Sequence, residues 1–304
     1  MLATKMTRSE HDHIGFLNVP TSFKFSGGLL LLSKEFDQAK RWMERYANKD
    51  GFLYPPLSRT ARLNPQTGKA TTIPRTKRPA LLHRVPNSHE LILEGVKDIQ
   101  KARSSLAGFV MLCFSYLYGT RLQFFDWWVD GRVPLKSTIN VRVTQSAAEA
   151  FLSKAIHTWR QLDRRRKRVA SNALYVYSKA GSAEWDWERF QLEYIVSDAC
   201  YSIAEAKDGC RANGHGKRFK ALCSTYGLKY NSQLIRLFVK LRNNLFHEAL
   251  WDGGQPNTAR SGNSFMASHH LRRFNHKLIA SIFAGQSKYT KSAWWFIDPD
   301  DFTV

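Results

Sequence analysis

The clearest pattern of hydrophobic and polar positions lies between residues 231 and 251. Its apolar side chains are four, three and four residues apart: Leu234, Phe238, Leu241 and Leu245. This spacing predicts an amphipathic helix, because positions three and four residues apart share a face. At about 100° per residue, the opposite face is polar, and it carries Arg236, Lys240, Asn243 and His247. Gly253-Gly254 supplies a stop signal.

Three neighbouring segments also show helical spacing of their apolar residues. They are about residues 184–206, 217–226 and 264–284. The first begins with acidic residues, which favour the positive end of a helix, and Asp208-Gly209 ends it. Because the connections are short and contain Gly or Asn, we predict a bundle of about four helices over residues 184–287. Residues 288–304 are expected to form a C-terminal tail.

The pattern of residues 1–180 is less regular. Residues 91–96 are compatible with a strand, and residues 104–120 are uncharged and mostly apolar. The second segment is short for a membrane span and is diluted by small and polar residues, so we expect a buried helix and no membrane association. The predicted fold class is therefore mainly α, with a mixed α+β N-terminal region before the helical bundle.

The chain is strongly basic, since 46 Lys and Arg oppose 25 Asp and Glu and give a formal net charge of +21. Such a charge attracts polyanions, of which nucleic acid is the commonest, but it does not distinguish an enzyme from a binding protein. Residues 51–89 contain no carboxylate and several prolines, which predicts a basic extended loop. We expect the N-terminal region to act as a sensor or an RNA-binding part.

Two further features add to the basic character. Residues 253–297 contain no carboxylate and follow the helix of residues 231–251 directly. A run of basic residues at 164–168 is expected to end an amphipathic helix that begins near Ser146, with Ser146 and Glu149 as a capping box. The side chains expected to contact RNA are Arg236, Lys240, Arg272, Arg273, Lys277, Arg164, Arg165 and Arg166.

The pattern Arg-x-x-x-x-His occurs three times in the chain. Its members are Arg78 to His83, Arg84 to His89, and Arg242 to His247. Prolines follow or interrupt the first two, and proline restrains its neighbourhood away from helical angles. Only the third match lies in a segment with helical periodicity, so only there are the two side chains expected to point at one place.

Arg242-Asn243 followed by His247, with the helices around them, resembles the signature of the HEPN superfamily. The resemblance covers roughly residues 184–287, and nothing comparable is recognised in the N-terminal half. It implies an all-α bundle, a homodimer and, in many members, a metal-independent endoribonuclease of toxin–antitoxin, abortive-infection or other anti-phage defence systems. It also implies that Arg242 and His247 are the catalytic pair and that Asn243 is the polar residue beside them.

The chemistry of these groups agrees with RNA cleavage. A neutral His247 can take the proton of a 2′-hydroxyl, and Arg242 can neutralise the charge that builds on the phosphate. Asn243 would orient phosphate or imidazole, and Glu193 or Asp198 could fix the Arg242 guanidinium. One imidazole cannot easily serve both the attacking and the leaving oxygen, so we expect a two-fold dimer with the second His247 in the same cleft.

Other classes of function have weaker support. The cysteines Cys113, Cys200, Cys210 and Cys223 lack paired C-x-x-C spacing, so we expect neither a metal nor another cofactor. No signal peptide is recognised, which predicts a cytoplasmic protein. An antitoxin or regulatory protein is expected as a partner, since unrestrained RNA cleavage harms the host. The alternative is a non-catalytic HEPN-like module that binds RNA or a partner protein.

Overall fold

The computed structural model describes residues 11–54, 61–74, 82–127, 129–251, 262–296 and 298–304. Within these ranges the fold is mixed α+β, and helices predominate. The helices are α1 Phe36–Tyr46, α2 Ile99–Ala102, α3 Leu106–Leu117, α4 Gln145–Gln161, α5 Arg164–Gly181, α6 Asp186–Asp208, α7 His215–Tyr226, α8 Ser232–Glu248, α9 Gly262–Ala284 and α10 Lys288–Lys291. The strands are β1 His11–Gly15, β2 Phe23–Phe25, β3 Gly28–Leu32, β4 Phe52–Leu53, β5 Ala61–Leu63, β6 Ala70–Thr72, β7 Leu82–His83, β8 His89–Leu93, β9 Gln123–Phe124, β10 Val129–Asp130, β11 Val133–Pro134, β12 Val141–Arg142 and β13 Asp300–Asp301.

The N-terminal region is built around an antiparallel sheet of five strands in the order β2-β3-β8-β1-β9. β8 lies between β3 and β1, with Leu91 opposite Leu30 and His89 opposite Ile14. Apolar side chains of the sheet pack on α3, where the rings of Phe23 and Phe114 are 5.2 Å apart. The sheet and α3 therefore share one hydrophobic core.

α3 is the buried helix that the apolar segment of residues 104–120 predicts. Almost every one of its residues is buried, because sheet and helices surround it. Within the described ranges a membrane-spanning helix is not found, since none combines the required length with the required hydropathy.

The four helices expected between residues 184 and 287 are present as α6, α7, α8 and α9. α6 ends at Asp208 as predicted, because Gly209 adopts the left-handed conformation, with φ +66°, that caps a helix. α8 ends earlier than expected, at Glu248, because Ala249 is left-handed with φ 54°. The expected stop at Gly253-Gly254 lies outside the described residues.

The basic run at residues 164–168 begins a helix instead of ending one. α4 stops at Gln161, and Leu162 is extended. The Asp163 carboxylate then accepts a hydrogen bond from the Arg166 backbone N–H at 2.9 Å and caps the new helix α5. α4 itself is capped by Thr144, not by Ser146. The expectation of one continuous helix was therefore wrong.

The main hydrophobic core extends across the boundary expected near residue 180. It contains side chains from Ile14 in β1 to Phe302 near the C-terminus, and α6 packs on both α5 and α9. Residues 288–304 are also part of this packing: Trp294 is fully buried, and the Phe302 and Tyr289 rings are 5.1 Å apart. The segment predicted as a tail is thus held against the bundle.

The basic loop at residues 51–89 is described only in part. Residues 55–60 and 75–81 lie outside the described residues. Between them, β5 and β6 form a short antiparallel hairpin, with Arg62 opposite Thr71. The described residues from 64 to 72 are exposed. A second, smaller core lies beside this region and includes Phe36 and Met43 of α1.

Candidate functional site

α8 holds the candidate functional side chains on its exposed face. The helix starts where the Asn231 side chain accepts a hydrogen bond from the Leu234 backbone N–H at 3.1 Å. Ile235, Phe238 and Leu241 are buried in the core. The opposite face is exposed at Asn243 and His247, while Arg242 is half-buried on the flank. The amphipathic pattern therefore fixes which way the polar groups point.

Arg242 connects the other two members of the sequence motif. Its Nη1 donates to Asn243 Oδ1 at 3.2 Å and to His247 Nε2 at 3.1 Å. Its guanidinium also lies 5.1 Å from the centre of the Phe246 ring, which is 43% exposed. We name Arg242, Asn243 and His247 the α8 cluster. Its three polar groups meet at the protein surface, as the helical spacing predicts.

The contact between Arg242 and His247 fixes the tautomer of the imidazole. A guanidinium has only donors, so Nε2 of His247 must be the acceptor. With Nε2 as the acceptor, the ring hydrogen lies on Nδ1. The lone pair that could take a proton is therefore directed at Arg242.

A second histidine, which the sequence analysis did not assign to the site, lies within electrostatic range of Arg242. His215 begins α7, and its Nδ1 is 3.8 Å from the Asp198 carboxylate of α6. Arg218 Nη1 is 3.6 Å from the same carboxylate. The His215 ring meets the Tyr194 ring edge-on at 5.6 Å. We name His215, Asp198 and Arg218 the α7 cluster.

The two clusters are close enough to influence each other electrostatically. Burial lowers the pKa of His215, Asp198 raises it, and the positive charges of Arg242 and Arg218 lower it further. The combined effect lowers the pKa of His215 from its ordinary value. No spacing signal could have revealed this histidine, because His215 and Arg242 belong to different helices and come within electrostatic range only in the folded chain.

Of the two expected supporting carboxylates, Glu193 has another role. It is fully buried, and its Oε1 accepts a hydrogen bond from Arg272 Nη1 at 2.6 Å instead of binding Arg242. Asn275 Nδ2 donates to Glu193 Oε2 at 2.8 Å. Burial raises the pKa of Glu193, and Arg272 opposes this effect. The expected pairing of Glu193 with Arg242 was wrong, because α6 turns Glu193 towards α9.

Asp198 lies on the exposed side of α6, near the proposed site. Among the described residues, its carboxylate forms an ion pair with Arg218 and lies 3.8 Å from His215 Nδ1, and it is not paired with Arg242. The expected pairing of Asp198 with the Arg242 guanidinium is therefore not seen, and Asp198 contacts His215 and Arg218 instead.

Two of the cations expected to bind RNA are buried. Arg272 also donates to the Tyr177 carbonyl at 2.9 Å. Lys277 donates to the Tyr289 carbonyl at 2.7 Å and forms an ion pair with Asp300, and burial lowers its pKa to about 8. The expectation that Arg272 and Lys277 contact RNA was wrong, because α9 is enclosed by other helices and its charged groups are satisfied inside the protein.

The other expected RNA-binding cations differ in exposure. Arg273 is half-buried and donates to the backbone carbonyls of Trp294 and Asp298. Arg166 is half-buried and 3.7 Å from Asp163. The exposed cations are Arg236, Lys240, Arg164 and Arg165. Exposure leaves these four available to a polyanion, and their contact with RNA stays a prediction.

Within the described residues, no group of three or more His, Cys, Asp or Glu side chains is arranged to hold a metal ion. The four cysteines are buried and unpaired. Comparison of the chain with protein-family models, curated proteins and solved structures finds no match. The resemblance to the HEPN superfamily therefore stays an expectation from the sequence.

Proposed function

We propose that the protein is a metal-independent endoribonuclease whose active site contains the α8 cluster. The observation that carries the proposal is the exposed contact between Arg242 and His247, with Asn243 bound to the same guanidinium nitrogen. A cation that can bind phosphate and a group that can transfer protons near neutral pH are thus held together at the surface. In a buried position the same groups would have no access to RNA.

In the proposed reaction, RNA supplies its own nucleophile. His247 takes the proton of a 2′-hydroxyl as that oxygen bonds to the adjacent phosphorus. The bond from phosphorus to the 5′-oxygen breaks, and a protonated imidazole gives that oxygen a proton. Arg242 and Asn243 hold the phosphate oxygens and stabilise the negative charge of the transition state. The products are a 2′,3′-cyclic phosphate and a 5′-hydroxyl.

Two sources are open for the second imidazole. One is His247 of the partner subunit in a two-fold dimer, as the HEPN resemblance implies. The other is His215 of the same subunit, which lies within electrostatic reach of Arg242. Co-expression with an excess of inactive His247→Ala chains discriminates between them. If two subunits share the site, every mixed dimer is inactive. If the site lies within one subunit, each wild-type subunit stays active, and activity falls only with the fraction of inactive chains.

The surface of α8 also suits an RNA strand. Arg236 and Lys240 are exposed on the face that carries His247, and the helix rises about 16 Å from Arg236 to His247. With a net charge of +21, the chain attracts polyanions over longer distances. We propose a role as a toxin or anti-phage defence effector, held in check by an antitoxin or another regulatory protein.

The test is RNA cleavage by purified protein in excess EDTA. We expect His247→Ala and Arg242→Ala to lower the rate by about 100-fold or more, since general acid–base catalysis contributes about 10²–10⁴-fold. His157→Ala is the matched control, because His157 is also exposed but lies on α4. Cleavage by His247→Ala at the wild-type rate, or products without a cyclic phosphate, would contradict the proposal.

The second candidate is a module that binds RNA or a partner protein without cutting. It is favoured by the direct contact of Arg242 with Nε2 of His247, since that contact occupies the lone pair that a base must use. The same assay separates the two candidates. Tight binding of RNA without cleavage, unchanged in His247→Ala, supports the binding module.

A further inference from the structure

A cavity of about 360 Å³ lies between α3, α5 and the segment after β9. None of its described lining residues belongs to α8. Its size is at the lower end of the range for small-ligand sites, about 300–1,000 Å³. The wall is mostly apolar and includes Phe109 and Leu112 of α3. Its size and lining therefore suit one small, partly apolar group.

Two exposed aromatic rings form part of the cavity wall. Trp127 follows β9 and is 42% exposed, and Tyr175 of α5 is 44% exposed. Large aromatic rings that stay exposed beside a cavity offer flat faces to a ligand. Nucleobases stack on such rings irrespective of their identity, because every base has a π-face.

Gln123 adds a polar group to the same wall. It is only 3% exposed, and neither its Nε2 nor its Oε1 has a hydrogen-bond partner among the described residues. An unpaired buried amide is unfavourable, so the side chain gains from a ligand that offers a donor and an acceptor side by side. Adenine presents such an edge and pairs with a Gln amide through two hydrogen bonds. Because the amide is covered, this pairing requires a side-chain movement at the wall.

A basic surface continues from the cavity along α5. Asn172 lines both the cavity and an adjoining open pocket, whose other residues include Arg164, Arg165 and Arg168. These three arginines are exposed. By contrast, Arg103 in the cavity wall is held by the carboxylates of Asp12 and Asp126. Arg121 also lines the cavity, but its side chain is buried, with 6% exposed. The exposed charge available to a phosphate therefore lies on α5, outside the cavity.

We infer that this cavity binds one base of a single-stranded RNA, with adenine preferred, while the sugar–phosphate backbone runs along the arginines of α5. From Arg164 to Tyr175 the helix spans about 16 Å. Stacked nucleotides rise about 3.4 Å each, so the basic surface is longer than one nucleotide. The length therefore favours a strand over a free nucleotide.

The experiment measures binding of short 2′-O-methyl oligonucleotides to the full-length protein. A 2′-O-methyl strand cannot be cut by 2′-hydroxyl attack, so failure of this inference and failure of the proposed nuclease activity are distinguishable. We expect oligoadenylate to bind more tightly than oligocytidylate. Trp127→Leu should weaken binding by about tenfold or more, the loss expected for one base on one ring.

The controls use residues of equal exposure outside the cavity. Phe125→Leu replaces an aromatic ring that is 46% exposed and does not line the cavity, so binding should stay within about twofold. Arg165→Gln with Arg168→Gln should lower affinity more than the same changes at the exposed Arg41 and Arg45 of α1. Equal losses in the cavity variants and their controls would overturn the inference.

Gln123→Met tests the base contact. Methionine fills a similar volume without polar atoms, so the variant should unfold at an equal or higher urea concentration and yet lose the preference for adenine. A preference that survives this change would overturn the assignment of Gln123 to the base. AMP that binds as tightly as the oligonucleotide would overturn the assignment to a strand and indicate a free nucleotide.

Discussion

The ion pair between Glu193 and Arg272 gives the sharpest test of the packing of α6 on α9. Both side chains are buried, and Arg272 Nη1 donates to Glu193 Oε1 at 2.6 Å. Arg272→Met leaves the Glu193 carboxylate in the core with Asn275 as its remaining side-chain partner. Removal of one partner from a buried ion pair costs about 3–5 kcal/mol, because the other charge stays desolvated and uncompensated. We therefore expect the free energy of unfolding of Arg272→Met to be lower than that of the wild type by this amount.

A double-mutant cycle separates the pair from the loss of each side chain. Glu193→Gln keeps an oxygen that can accept the hydrogen bond from Asn275 but removes the charge. The double variant Glu193→Gln with Arg272→Met leaves no unpaired charge in the core. Its loss in the free energy of unfolding should therefore be smaller, by about 2 kcal/mol or more, than the sum of the losses of the two single variants.

The assay is urea unfolding followed by tryptophan fluorescence and by circular dichroism. Coincident transitions are required before free energies are compared in a chain of this size. Arg273→Met is the matched control: its half-buried guanidinium donates to two backbone carbonyls, so a smaller loss of about 1–2 kcal/mol is expected. A loss below about 1 kcal/mol for Arg272→Met, or additive losses in the cycle, would refute the reasoning.

Two further predictions concern pH and salt. Burial lowers the pKa of His89 to about 4, so between pH 6.5 and 4 the unfolded chain binds a proton that the folded chain does not, and stability falls as pH falls. Wild type should lose up to about 3 kcal/mol more than His89→Gln over that interval in urea titrations, and parallel curves would contradict this. Arg236→Gln with Lys240→Gln should reduce the slope of log K against log salt for single-stranded RNA by about 1.4, since each lost phosphate contact removes about 0.7. Arg272→Met should leave that slope unchanged. A change in slope equal to that of the double variant would indicate that Arg272 contacts RNA after all.

The end of α6 and the exposed face of α8 were accessible from the sequence because they depend on local rules. Gly209 can adopt a left-handed backbone, so it ends α6, and the apolar spacing at Phe238 and Leu241 fixes which face of α8 is buried. The contact between Arg242 and His247 follows from that geometry, since both residues belong to one helix. Local periodicity therefore predicted the α8 cluster.

The burial of the charged residues of α9 could not be predicted from local patterns in the sequence. Arg272 and Lys277 look like surface cations in an acid-free segment, but their partners Glu193 and Asp300 come from other parts of the chain. α9 is packed on several sides, by α4, α6, α7 and α8, and so lacks the single polar face that would have indicated exposure. Burial of a charge depends on a tertiary partner, which a sequence pattern does not specify.

The strand pairing of the N-terminal sheet could not be predicted from the sequence for a related reason. Its strands have two to five residues, and β8 pairs with β3 and β1 across long separations in sequence. Short apolar runs do not reveal their pairing partners, since register depends on the face that the rest of the fold covers. The cavity beside Trp127 likewise joins three separate segments, so only the folded chain brings them together.

The contact between Arg242 and His247, which favours the non-catalytic candidate, also suggests how a nuclease could stay inactive until RNA is bound. Arg242 donates to Nε2 of His247, and a phosphate is a stronger acceptor for a guanidinium than a neutral imidazole, because the hydrogen bonds to it are charge-assisted and bidentate. In the proposed reaction, bound phosphate would therefore draw Arg242 away from Nε2 and release the lone pair beside the 2′-hydroxyl. Asn243, which accepts from the same nitrogen, is free to follow the guanidinium or to donate to the phosphate. On this reasoning Arg242→Lys should cut slowly even where it binds RNA well, because an ammonium is a point charge that cannot hold the phosphate with two parallel bonds.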